Sequence, residues 1–132
     1  MAQILVVDDS ASMRSMVAAT LQSAGHMIQD ADNGEAALNK AKSSNFDVII
    51  TDLNMPVMSG QEVLEEMLND EELRHLPVII LTTSSAQSDV LALSRLRCSA
   101  YVVKPVDYNE FQTTVKSIVD FWFKVAALPT RA

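Results

Sequence analysis

Four short runs of adjacent apolar residues constrain this chain more than any other feature: Ile4-Leu5-Val6-Val7, Val48-Ile49-Ile50, Val78-Ile79-Ile80-Leu81 and Tyr101-Val102-Val103. They are rich in β-branched residues and apolar at consecutive rather than alternate positions. Strands covered on both faces read this way, which points to a parallel sheet. A weaker fifth strand is expected at Met27-Ile28-Gln29-Asp30. Between the runs the apolar spacing turns helical. Met13, Met16, Val17, Leu21 and Ala24 precede a stop at Gly25, and Ala36, Ala37, Leu38 and Ala41 mark a second helix. Val63, Leu64, Met67 and Leu68 follow Ser59-Gly60-Gln61-Glu62, a capping-box pattern. Ser84-Ser85-Ala86-Gln87 opens a fourth helix carrying Val90, Leu91 and Leu93. Asp107, with Glu110 three residues on, opens a fifth that runs past Phe111, Val115, Ile118, Val119 and Trp122. Strand and helix alternate five times, which implies right-handed crossovers and an α/β three-layer sandwich around a five-stranded parallel sheet.

The 132 residues fit one domain. Ten Lys and Arg against seventeen Asp and Glu leave a net charge of −7. That balance repels phosphate backbones and argues against nucleic acid as a partner. The one cysteine, Cys98, has no internal disulfide partner, which suits a reducing cytoplasm. The segment Met1-Ala2-Gln3-Ile4 lacks the basic region of a signal peptide. No apolar run approaches the roughly 20 residues of a membrane span, so a cytoplasmic protein with no membrane contact is expected. His26 and His75 fall at the starts of predicted strands and read as surface or capping residues.

In an open α/β sheet, ligands bind beyond the C-terminal ends of the strands. Asp8 and Asp9 follow the first run, Asp52 follows the Val48 run by way of Thr51, Thr82 follows the Val78 run, and Lys104 follows the last. Three carboxylates, a hydroxyl and an ammonium would therefore meet on one edge. Clustered carboxylates stay ionised only beside cations. Lys104 supplies one charge, and a hard divalent ion such as Mg²⁺, which prefers oxygen ligands and keeps open positions, supplies more. Asp52 can then attack phosphorus as a nucleophile, with Thr82 donating to one phosphoryl oxygen and Lys104 neutralising another. Taken singly, Asp9 or Ser10 could be only a helix cap and Lys104-Pro105 only a turn.

The combined pattern resembles the receiver domain of two-component response regulators over residues 3 to about 122. The resemblance rests on Val6-Val7-Asp8-Asp9-Ser10 with Arg14, Asp52-Leu53-Asn54-Met55-Pro56 with Gly60, Leu81-Thr82, and Tyr101 to Lys104-Pro105. It implies the flavodoxin-like strand order 2-1-3-4-5 and a receiver domain over residues 1–126, with a short tail at 127–132 and no output domain. It also implies Asp52 as phosphoacceptor. Asp9, Asp52 and the Asn54 carbonyl would hold Mg²⁺ (or Mn²⁺ in its place), with Asp8 acting through water. Lys104 would contact the phosphoryl group, the Lys104–Pro105 bond would be cis, and Thr82 and Tyr101 would form a switch pair. That switch would reshape the surface of the fourth helix, fifth strand and fifth helix. The implied partners are a sensor histidine kinase or phosphotransfer protein and a downstream target. Slow self-dephosphorylation would be influenced by Asn54 and Ser84.

Three other readings compete with a working receiver. An aspartyl-nucleophile phosphatase or mutase would place a second Asp two residues after its nucleophile on the first strand, a spacing that Asp8-Asp9-Ser10 breaks. An FMN carrier needs a small-residue phosphate cradle where two carboxylates stand here. A degenerate receiver would lack one of the key groups.

Two features depart from the resemblance. Receivers usually have a Gly near the end of the fourth helix, whereas Leu96-Arg97-Cys98-Ser99-Ala100 has none, so this loop is expected to differ in shape or carry strain. Cys98 reads as a small buried filler. In the last helix, Phe121 and Phe123 flank Trp122 and widen the apolar arc to roughly half the circumference at 100° per residue. Either a loop covers these rings or they form a partner patch, for a homodimer or a kinase.

Overall fold

The computed structural model describes residues 2–55, 57–83, 87–96, 98–105 and 107–121, without the side chains of Gln87, Tyr108 and Val119. Five strands and five helices alternate: β1 (Gln3–Val7), α1 (Ala11–Ser23), β2 (Met27–Ala31), α2 (Gly34–Ser43), β3 (Val48–Thr51), α3 (Gly60–Leu68), β4 (Val78–Thr82), α4 (Gln87–Arg95), β5 (Ala100–Val103) and α5 (Tyr108–Asp120). The strands pair in parallel in the order β2-β1-β3-β4-β5, as expected.

Because successive strand residues point to opposite faces, each consecutive apolar run supplies two cores. Leu5, Val7, Ile49, Val78 and Ile80 face one way, against Ala37, Leu38 and Ala41 of α2, Val63, Leu64 and Met67 of α3, and Leu93 of α4. Ile4, Val6, Val48, Ile50, Ile79 and Leu81 face the other way, against Val17 and Leu21 of α1 and Phe111 and Val115 of α5. Each Val, Leu, Ile, Met or Phe among them contributes about 1.5–3 kcal/mol when fully removed from water. The sheet is thus the middle of three layers, which explains runs that are apolar at every position.

The helix starts follow the local signals. Ser59 accepts from the Glu62 amide while the Glu62 side chain accepts from the Ser59 amide, a complete capping box. Asp107 caps α5 through the Glu110 amide at 2.9 Å, and Ser10 caps α1 through Met13. The expected opening of α4 at Ser84 to Ala86 lies outside the described residues. So do Trp122, Phe123 and the tail at 127–132.

β5 lies at the edge of the sheet, where the expected order places it, and its Val103 is 43% exposed. Other expectations need amendment. No cis peptide bond occurs among the described residues, so Lys104–Pro105 is trans and the cis expectation is wrong. Trans is the lower-energy isomer of an X–Pro bond by about 0.5–1 kcal/mol. In addition, none of the described residues from Leu96 to Ala100 has a positive φ. Cys98 instead closes the turn by donating its amide to the Leu93 carbonyl. It is partly rather than fully buried, packs on the α2–α4 side, and has a thiol pKa pushed up by burial.

Candidate functional site

The β1–β3 ladder runs to Val7 opposite Thr51, and the next residues, Asp8 and Asp52, leave the sheet side by side. The Asp52 amide still donates to the Val7 carbonyl at 2.9 Å, and the Asp8 amide to the Ala31 carbonyl at 3.2 Å. Their side chains are therefore placed by backbone that the sheet has already fixed. One carboxylate oxygen from each of Asp8, Asp9 and Asp52 lies within 4.8 Å of the others. Asp8 is buried, Asp52 half-buried and Asp9 exposed, so the cluster forms a notch open on the Asp9 side.

Lys104 reaches this notch from the end of β5. Its Nζ lies 2.9 Å from Asp8 Oδ2 and 3.8 Å from Asp52 Oδ2, and its side chain is only 6% exposed. The Lys104 amide donates to the Thr82 carbonyl, which sets the stem of the side chain at the strand end. Asp8 Oδ1 accepts from the Ser10 amide at 2.9 Å, so both Asp8 oxygens have protein donors. Asp52 Oδ1 accepts from the Leu53 amide at 2.8 Å. Thr82, fully buried, also hydrogen-bonds the Asp52 carboxyl through its side chain.

Electrostatics follow from this layout. Burial pushes the Asp52 carboxyl above its ordinary range and the Asp8 charge adds to the push, while Lys104, the Leu53 amide and Thr82 oppose it. One ammonium thus leaves the charge of three carboxylates partly uncompensated. Three carboxylate oxygens converging without sulfur or imidazole suit a hard divalent cation such as Mg²⁺ or Mn²⁺.

The β3–α3 loop is held against this backbone by close contact. The Gly60 amide donates to the Leu53 carbonyl at 2.8 Å, and a Cβ on Gly60 would stand 2.4 Å from the Asp52 carbonyl oxygen. Gly34, at the start of α2, likewise leaves room for Met58, whose carbonyl oxygen would be 2.6 Å from a Cβ there. Met55 and Met58 pack partly buried against the α2–α4 side, and Asn54 is exposed two residues after Asp52.

Tyr101 pairs with Ile80 and Val103 with Thr82, so Thr82 and Tyr101 share one face of the sheet as diagonal neighbours. The Tyr101 ring packs partly buried on the α2–α4 side. Phe121, at the C-cap of α5, is 52% exposed. His26 accepts the Ala2 amide through Nδ1 and His75 is exposed, both at the end of the sheet opposite the notch.

Reading the residues did not anticipate the second coordination layer around Asp8. Arg14 Nη1 donates to the Asp8 carbonyl at 2.8 Å, and its Nε meets Asp30 Oδ2 at 2.9 Å. An arginine in the second turn of α1 carries no local signal of that reach.

Comparison with known proteins places these features in context. Residues 4–116 match the family described as the response regulator receiver domain. The chemotaxis protein CheY of Pseudomonas aeruginosa is 34% identical over 119 residues, covering 89% of this chain and 96% of that protein. The crystal structure of the Mn²⁺-bound form of response regulator Rcp1 superposes with a TM-score of 0.89 at 29% identity, covering 98% of this chain and 100% of that one. The phosphorylated cyanobacterial phytochrome response regulator RcpA gives 0.90 at 28% identity, covering 98% and 99%.

Proposed function

The chain belongs to the response regulator receiver family, and from that premise we propose that it is a phosphorylation switch with Asp52 as its acceptor. The observation that carries the reading is the notch itself, with Asp8, Asp9 and Asp52 within 4.8 Å of one another and Lys104 buried among them. Asp9, Asp52 and the Asn54 carbonyl would hold Mg²⁺, or Mn²⁺ in its place. Asp8 would act through water, in keeping with two oxygens already engaged by Ser10 and Lys104. When bound, the ion supplies Lewis-acid neutralisation of phosphoryl charge.

The chain's own residues do the rest. The Leu53 amide and Thr82 hold the Asp52 carboxyl, leaving it to attack phosphorus in line with the leaving nitrogen of a phosphohistidine. The Asp52 O–P bond forms as the P–N bond breaks, and the imidazole leaves with its electron pair. Lys104 neutralises a phosphoryl oxygen and Thr82 donates to another. Thr82 turning toward that oxygen would vacate space on the face it shares with Tyr101, and the ring would follow. That couples the notch to the surface of α4, β5 and α5, where Leu91, Val103 and Phe121 are exposed.

The donor is a sensor histidine kinase or a phosphotransfer protein, and the output is contact with a downstream protein. A homodimer through α5, where Phe121 is exposed, is a separate contact in this reading. Self-dephosphorylation is slow, and apart from these two self-directed reactions the chain is not an enzyme. The single cysteine supports a cytoplasmic setting, and no helix among the described residues is long and apolar enough to cross a membrane.

Incubation with a small-molecule phosphodonor and Mg²⁺, followed by intact mass measurement, tests the reading. It expects one phosphoryl adduct, acid-stable and base-labile, absent in Asp52→Asn and in chelator. An adduct on a serine or histidine overturns it.

A further inference from the structure

We propose that Arg14 is a positioning residue for the cation site, acting by clamping the peptide between Asp8 and Asp9. The proposal rests on reading the notch as a divalent-cation site. The parallel ladder between β1 and β2 ends at Val7 opposite Ala31, so the Asp8 carbonyl lies past the last rung. The Asp8 amide has Ala31 as its acceptor, and the Asp8 carbonyl receives Arg14 Nη1 at 2.8 Å. The same guanidinium donates through Nε to Asp30 Oδ2 at 2.9 Å. Asp30 is itself held, because Lys40 of α2 donates to its carbonyl. One planar side chain therefore ties the β1–α1 turn to the end of β2.

The Arg14–Asp30 pair adds little energy by itself, since the Asp30 side chain is 53% exposed and water screens such pairs. Its effect is orientation. The rigid guanidinium fork must satisfy two acceptors at once, which fixes the direction of the Asp8 carbonyl and, across the planar peptide, the start of Asp9. Asp9 is the exposed member of the notch and otherwise the least constrained of the three.

Charge and positioning give opposite signs. Removing a cation from beside an acidic notch tightens cation binding by electrostatics alone. Releasing the Asp8–Asp9 peptide weakens it, and loss of outer-layer partners typically costs 10–100-fold in metal affinity.

Calorimetric titration of Mg²⁺ into the wild-type chain, Arg14→Ala and Arg14→Lys separates the two. The expected result is binding at least about tenfold weaker in Arg14→Ala, with Arg14→Lys weakened as well, because an ammonium keeps the charge but lacks the fork. Unchanged or tighter binding in Arg14→Ala, or wild-type affinity in Arg14→Lys, overturns the proposal. If Arg14→Ala loses its circular dichroism signature, Arg14→Lys decides alone. Absence of Mg²⁺ binding by the wild-type chain refutes the cation-site reading itself, an outcome distinct from failure of the clamp.

Discussion

Burial holds the Asp52 carboxyl above its ordinary range, the Asp8 charge reinforces the shift, and Lys104, the Leu53 amide and Thr82 offset it only in part. A carboxyl raised in this way binds its proton more tightly folded than unfolded, so the unfolded state releases protons first as pH rises. Stability of the metal-free protein therefore falls as pH climbs from the unfolded carboxylate range through the folded value. Asp52→Asn removes that component. In chelator, the variant should melt at a higher temperature than the wild-type chain at neutral pH, and the gap should close toward pH 4. Equal or lower melting of Asp52→Asn at neutral pH would contradict the electrostatic account. At this scale the strand-end residues were legible, because a run that ends in a carboxylate places it on the sheet edge wherever the helices pack. Arg14 was not legible, since its acceptors are a carbonyl six residues back in the chain and an aspartate on another strand. The trans Lys104–Pro105 bond was misjudged, since only resemblance argued for cis.

The helix starts were readable because a cap is a contact within four residues. Ser59 with Glu62 and Asp107 with Glu110 form as their spacing implied. The β3–α3 loop was not readable in the same way. Val57 there has φ 70°, a left-handed conformation that a β-branched residue argues against. Long-range geometry imposes it, because Gly60 must return to donate to the Leu53 carbonyl against the Asp52 backbone. Val57 is 73% exposed and so contributes little core. Val57→Asn, which tolerates this conformation, should stabilise the protein by about 1 kcal/mol in urea unfolding. A destabilised variant would show that the valine side chain holds the loop through contacts of its own.

For the molecule as a whole, adjacent apolar residues declared a covered parallel sheet, and both cores follow from that one property. Strand order was not contained in it, because β2 and β5 owe their edge positions to how helices cross rather than to their own composition. The sheet then delivers the ends of β1, β3, β4 and β5 to one rim, where a chain of net charge −7 concentrates three carboxylates around one buried lysine. In the proposed function this rim brings the Asp52 carboxyl onto phosphorus. Reductive trapping tests it most directly: after exposure to a phosphodonor, borohydride converts an acyl phosphate to an alcohol that peptide mass spectrometry can locate. We expect homoserine at position 52 in the presence of Mg²⁺ and none in chelator; reduction at another acidic residue, or at none, would contradict the account.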